Sequence, residues 1–107
     1  MKAALVSAMW VLVTSVCEAA GSPEFVVTLQ NHQFSPPELI VPARQKVKLI
    51  VKNLDPTAAE FESYELVREK VVEGRSEIVV YIGPLAPGSY HYYDDLHHDA
   101  KGVITSK

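Results

Sequence analysis

Along this chain one continuous apolar run gives way to short stretches in which apolar and polar residues alternate. The run, Ala3 to Val16, lies behind Lys2 and ahead of the small residues Ala19, Ala20, Gly21 and Ser22. That is the layout of a secretory signal peptide, and it falls well short of the roughly 20 residues a membrane-spanning helix needs. The expectation is a cleaved signal over 1–19 and an exported domain over 20–107. Lipidation of Cys17 fits less well, because bulky Val16 precedes it where a small residue is wanted.

Beyond the signal the alternation has period two and is broken by Pro, Gly and Asn about every ten residues, which predicts strands. Lys46–Asn53 is the clearest, since Val47, Leu49 and Val51 alternate with Lys46, Lys48 and Lys52 and only Ile50 breaks the pattern. Phe25–Gln30 precedes it, and Glu38–Val41 reads as a short edge strand because Pro36, Pro37 and Pro42 bound it. Tyr64–Val72, Ser76–Ile82, Gly88–Tyr93 and Gly102–Thr105 follow, with turns at Glu73-Gly74 and Ala86-Pro87-Gly88 and a loop over Leu54–Ser63. About seven short strands in one small domain predict an all-β Greek-key sandwich of two sheets. An immunoglobulin-like domain satisfies the same pattern, although its usual core Cys and Trp are missing after the signal.

Composition narrows the function classes. The only cysteine is Cys17 and the only methionines are Met1 and Met9, so the exported domain has neither disulfide, thiolate nor thioether. Its net charge stays at −3, because Lys2 and Glu18 leave together, and nucleic acid is excluded as a partner for want of a basic footprint. Ser63, Ser76 and Ser89 stand in no nucleophile motif, no glycine-rich phosphate loop is present, and so small a domain leaves little room for a sugar cleft. A hydrolase is therefore not expected.

Titratable residues concentrate in two places. Asp94, Asp95, His97 and His98 fall within five positions, with Asp99 next. Counting from Tyr90 and Tyr92, strand alternation puts Asp94 on the same face as the strand runs out, and a buried carboxylate there needs a partner: His97, a metal ion or water. Glu60 and Glu62 flank Phe61, and their i, i+2 spacing turns both carboxylates the same way. Loops at one end of a sandwich gather together, so both groups are expected to meet there. Carboxylates with one or two imidazoles suit a borderline or hard divalent ion such as Fe(II), Mn(II), Zn(II) or Cu(II). Solvated acidic loops are the ordinary alternative. His32 lies in a turn between the first two strands and is a further candidate ligand, while His91, opposite Tyr90 and Tyr92, should be exposed.

The stretch Pro87-Gly88-Ser89-Tyr90-His91-Tyr92-Tyr93-Asp94-Asp95-Leu96-His97, with Gly102-Val103-Ile104-Thr105 after it, resembles the final hairpin of cupredoxins. Asp94 falls on that family's copper-binding cysteine and His97 on its histidine, while the loop after Asn53 resembles the place of its first histidine ligand, with Glu60 and Glu62 in that region. A blue-copper centre needs a thiolate, so none is expected here. Phe34-x-Pro-Pro-Glu-Leu, Val41-Pro42-Ala43, Glu60-Phe61-Glu62-Ser63, Arg68-Glu69-Lys70, Gly83-Pro84-Leu85 and Asp95-x-His97 together resemble thiolate-free cupredoxin-like proteins of bacterial ferrous-iron uptake. The resemblance implies a periplasmic accessory protein that binds copper or iron, delivers iron to a membrane permease, and at most forms part of a ferrous-iron oxidase system. It also implies that Glu60, Glu62, Asp95 and His97 contribute to the site.

The expectation is a single metal site at one end of the sandwich, drawn from Glu60, Glu62, Asp94, Asp95 and His97, with His32 as a further ligand. Its partners are the ion, a permease or another periplasmic iron-uptake component, and a second copy of the chain remains open. The rival reading is a metal-free interaction domain that docks onto a membrane transport partner through the same loops. A Cu(I) chaperone is disfavoured, because no Cys or Met follows the signal to supply soft ligands.

Overall fold

The computed structural model describes residues 21–107; the expected signal peptide over 1–19, with Cys17, lies outside them. Nine strands make up the described chain: β1 (Glu24–Gln30), β2 (Gln33–Ser35), β3 (Glu38–Val41), β4 (Val47–Asn53), β5 (Ala59–Ser63), β6 (Arg68–Val72), β7 (Ser76–Ile82), β8 (Gly88–Asp94) and β9 (His97–Ser106). They form two sheets, ordered β2-β1-β4-β7 and β3-β9-β8-β5-β6. The pairs β1/β4 and β3/β9 are parallel and the others antiparallel, so the chain crosses repeatedly between layers, as a Greek-key sandwich must.

Alternation builds the core between the layers. Val27 and Leu29 of β1, Val47, Leu49 and Val51 of β4, and Val80 and Ile82 of β7 face Val41, Phe61, Val72, Tyr92 and Ile104 of the other sheet, all buried. Ile50 is only half-buried, which is why it breaks the pattern without breaking the strand.

The strand count and several boundaries differ from expectation; β9, expected over Gly102–Thr105, already opens at His97. Ala59–Ser63, read as loop, is strand β5: Ala59, Phe61 and Ser63 face inward, and Glu60 and Glu62 outward. Tyr64–Val67, read as strand, is the turn that joins β5 to β6, and Val67 there takes a φ of 54°. A β-branched residue is strained in that conformation and does not continue a strand. β2 is three residues long, too short to show a period.

Tyr92 holds the middle of the five-stranded sheet together. Its ring meets Phe34 edge-on at 4.9 Å and Phe61 at 5.1 Å, and it lies across Gly102, its partner in the β8–β9 ladder. A Cβ at Gly102 would overlap the Tyr92 ring. Gly102→Ala is therefore expected to lower the unfolding free energy by about 1–3 kcal/mol, the usual range for overpacking. Urea titration followed by far-UV circular dichroism measures it, and an unchanged midpoint would show that the ring has somewhere else to go.

Candidate metal centre

Strand parity places the candidate ligands. Tyr90, Tyr92 and Asp94 of β8 point between the sheets, and Asp94 is 1% exposed. A bulge between Tyr93 and Asp94 precedes the two-residue turn Asp95-Leu96, after which His97 opens β9 opposite Asp94.

The Asp94 carboxylate is half satisfied. Its Oδ1 accepts the backbone N–H groups of Glu60 and Leu96, each at 2.9 Å. Its Oδ2 is buried and accepts no hydrogen bond from the protein, and the nearest charged partner is His97 Nδ1 at 3.8 Å. That distance is too long for a hydrogen bond. A buried carboxylate oxygen left bare is costly, so Oδ2 is a donor in search of a cation.

His32 arrives from the other sheet. The β1–β2 hairpin turns on two residues, Asn31 and His32, with φ of 51° and 55°. Paired positive φ values are what a tight hairpin needs to match strand twist. They bring the His32 ring onto His97, stacked with centroids 3.8 Å apart and planes inclined by 20°. One ligand atom from each of His32, Asp94 and His97 lies within 4.8 Å of the others.

Glu60, Glu62 and Asp95 form a second compact group by the same criterion. It stands on the outer face of the five-stranded sheet, where Glu62 is paired with Glu69 of β6 and Tyr93 of β8. The hydrogen bond with Glu69, partial loss of water, and the neighbouring Glu62 and Asp95 push the Glu60 carboxyl up from 4.5 to about 7. Near neutral pH the Glu60 carboxyl is therefore partly protonated. Asp95 also meets His98 Nε2 at 3.0 Å, in the open.

The six expected ligands thus form two triads rather than one constellation. Neighbours in a strand point to opposite faces, so Asp94 goes in with His97 and His32 while Asp95 goes out with Glu60 and Glu62. Two residues of consequence were not among the expected site residues, Glu69 across from Glu62 and Asp55 beside His32. Asp55 is 7% exposed, and the backbone N–H of His32 first, then that of Asn31, hold its carboxyl below the ordinary range. Its one signal was its place two residues after Asn53 in a Pro-containing turn.

Both arrangements offer only oxygen and imidazole nitrogen. Two imidazoles and a carboxylate are a donor set for Fe(II), Cu(II) or Zn(II), and three carboxylates a harder one. Each triad keeps one buried carboxylate oxygen without a protein partner, Asp94 Oδ2 in the inner and Glu62 Oε2 in the outer, and what favours the inner triad for a borderline ion is its pair of imidazoles.

The profile of the cupredoxin-like domain family matches residues 3–106. An uncharacterised protein of Rickettsia prowazekii (strain Madrid E) is 42% identical over 82 residues, 76% of this chain and 66% of that protein. The chain thus spans just under two thirds of that relative's length. Among solved structures, the metal-binding domain of the Cu(I)-exporting P-type ATPase CopA of Streptococcus pneumoniae, in complex with Cu(I), superposes with a TM-score of 0.71 at 13% identity, over 78% of this chain and 84% of that one. Reduced auracyanin from Roseiflexus castenholzii gives 0.68 at 15% identity over 80% and 98%. A purple cupredoxin from Nitrosopumilus maritimus gives 0.60 at 16% over 80% and 100%. At such identities the likeness is one of fold.

The outer acids set a pH dependence. Because Glu60 titrates near 7 in the folded chain and near 4.5 when unfolded, the folded state binds the extra proton between those values. Stability contributed by this group therefore falls as pH rises through that window. Glu60→Gln is expected to raise the thermal midpoint at pH 8, with chelator present, and to leave it unchanged at pH 4. A loss at pH 8 would mean that Glu60 is stabilising as an anion.

Proposed function

Because this chain belongs to the cupredoxin-like domain family, we propose that it binds a copper or iron ion through His32, Asp94 and His97 and serves bacterial iron uptake from the periplasm. The observation that carries the reading is Asp94 Oδ2, buried and without a protein donor, in the strand position where the family's copper-binding cysteine resembles this sequence. An anionic oxygen there replaces an anionic sulfur, which keeps the charge and changes the preference from soft to harder ions.

The residues divide the work. Asp94 brings the negative charge, and the two backbone N–H groups on Oδ1 aim its other oxygen. His32 and His97 add neutral nitrogens from two sheets. Their side chains are each 45% exposed, so an ion can enter and leave at the rim, as delivery to a permease requires. A copper ion held there would supply a one-electron acceptor for Fe(II); an iron ion would be cargo.

The docking reading has its own support at the β5–β6 turn, where Tyr64 is 91% and Val67 79% exposed. Large apolar side chains lifted into water at a turn suit contact with a membrane transport partner.

Calorimetric titration with Cu(II), and anaerobically with Fe(II), tests the proposal. Asp94→Asn and His97→Ala should each weaken binding by more than the roughly 10–100-fold that a supporting residue costs, and Glu62→Gln should leave it near wild type. Binding should also fade below about pH 5, as imidazole and carboxylate protonate. Binding that survives both inner variants but is lost in Glu62→Gln would move the site to the outer acids, and no binding by wild type would leave docking, which responds chiefly to salt.

A further inference from the structure

Each imidazole of the inner triad has a buried carboxylate beside it at the same separation, but the two carboxylates differ. His97 Nδ1 lies 3.8 Å from Asp94 Oδ2, and His32 Nδ1 lies 3.8 Å from Asp55 Oδ2. Asp94 keeps one oxygen bare. Asp55 keeps none: Oδ1 accepts the Asn31 N–H at 2.7 Å and Oδ2 the His32 N–H at 3.0 Å. A carboxylate with both oxygens engaged by backbone donors is built to hold something in place rather than to ligate.

Asp55 is itself fixed by three parts of the fold. Its N–H donates to Asn53 Oδ1 at 3.0 Å, its carbonyl accepts the Arg75 N–H at 2.9 Å, and the neighbouring Leu54 N–H donates to Leu29 of β1 at 2.8 Å. Asn53 is buried, and its Nδ2 donates to the carbonyls of Thr57, Val72 and Glu73 at 2.8, 3.2 and 3.3 Å. The clamp therefore runs from the ends of β4 and β6 to the hairpin tip. At that tip neither Asn31 nor His32 is glycine, and each non-glycine residue at positive φ costs roughly 1–2 kcal/mol without compensation.

We propose that Asp55 is the positioning residue of the site: beyond bracing the Asn31-His32 turn, its carboxylate sets the orientation and tautomer of the His32 ring over His97. This rests on the metal-binding reading of the His32, Asp94 and His97 triad. At 3.8 Å the Asp55 carboxylate does not hydrogen-bond Nδ1, but its charge favours the His32 tautomer that carries its proton there, which leaves Nε2 as the nitrogen for an ion. Asp55 thereby acts on His32 as a supporting carboxylate, from the loop that leaves β4 beside the β1–β2 turn.

The test uses Asp55→Asn, Asn31→Gly and the double variant, with Zn(II) or Cu(II) affinity by calorimetry and the His32 ring nitrogens by long-range ¹⁵N–¹H correlation. Asp55→Asn should stay folded, lose about 10–100-fold in affinity, and shift His32 toward the other tautomer while His97 keeps its signals. Asn31→Gly should bind as wild type. The double variant, whose glycine relieves the turn, should regain stability but not affinity. Recovery of affinity in the double variant would overturn the proposal, because Asp55 would then act only as a brace for the turn, as would unchanged affinity with an unchanged His32 spectrum. If wild type binds no ion, the metal-binding reading fails, and the His32 spectrum of Asp55→Asn still decides the role of Asp55.

Discussion

One carboxylate oxygen that has no protein partner organises this structure. Asp94 is buried at the end of β8, where the sandwich would ordinarily place an apolar or neutral side chain. The fold satisfies one oxygen with the backbone of β5 and of its own turn, which costs nothing in side chains and fixes the orientation of the other. A fully paired Asp94 would be a structural plug. Half-paired, it is an anchored anion with one direction open, and the two histidines converge on that direction.

Convergence depends on elements that meet only through tertiary structure. Asp94 and His97 are neighbours across a hairpin, so their approach is local. His32 comes from the opposite sheet, and its path runs from Asn53 through Asp55 to a two-residue turn. The same parity that sends Asp94 inward sends Asp95 outward, and the outer acids become a separate chemical object in which Glu60 holds a proton near neutrality. Inner and outer groups lie back to back across the β5–β8 pair, joined by the Glu60 N–H on Asp94 and the Asp95 N–H on the Glu60 carbonyl.

Much of this was legible in the sequence, for identifiable reasons. β3 and β7 have the boundaries that proline flanks and apolar alternation set, and β4 begins one residue late. Counting from Tyr90 and Tyr92 was enough to turn Asp94 inward. β5 was hidden because Glu60 and Glu62 make its outer face acidic and a proline-containing turn precedes it. β2 was hidden by its length, and the Tyr64–Val67 turn by Tyr64 and Val67, large side chains that the structure leaves in water. The division of six candidates into two triads follows from parity at a turn, which the sequence shows only once the last strand residue is known. Asp55 was out of reach, since its bond to Asn31 spans 24 positions and its place after Asn53 in a Pro-containing turn does not show that partner.

The most direct measurement is the anomalous diffraction of Cu(II)-soaked crystals of residues 20–107. A single strong peak is expected at coordination distance from Asp94 Oδ2, with nitrogens of His32 and His97 around it. A peak among Glu60, Glu62 and Asp95 with Asp94 Oδ2 unliganded, or no peak at the rim, would contradict it.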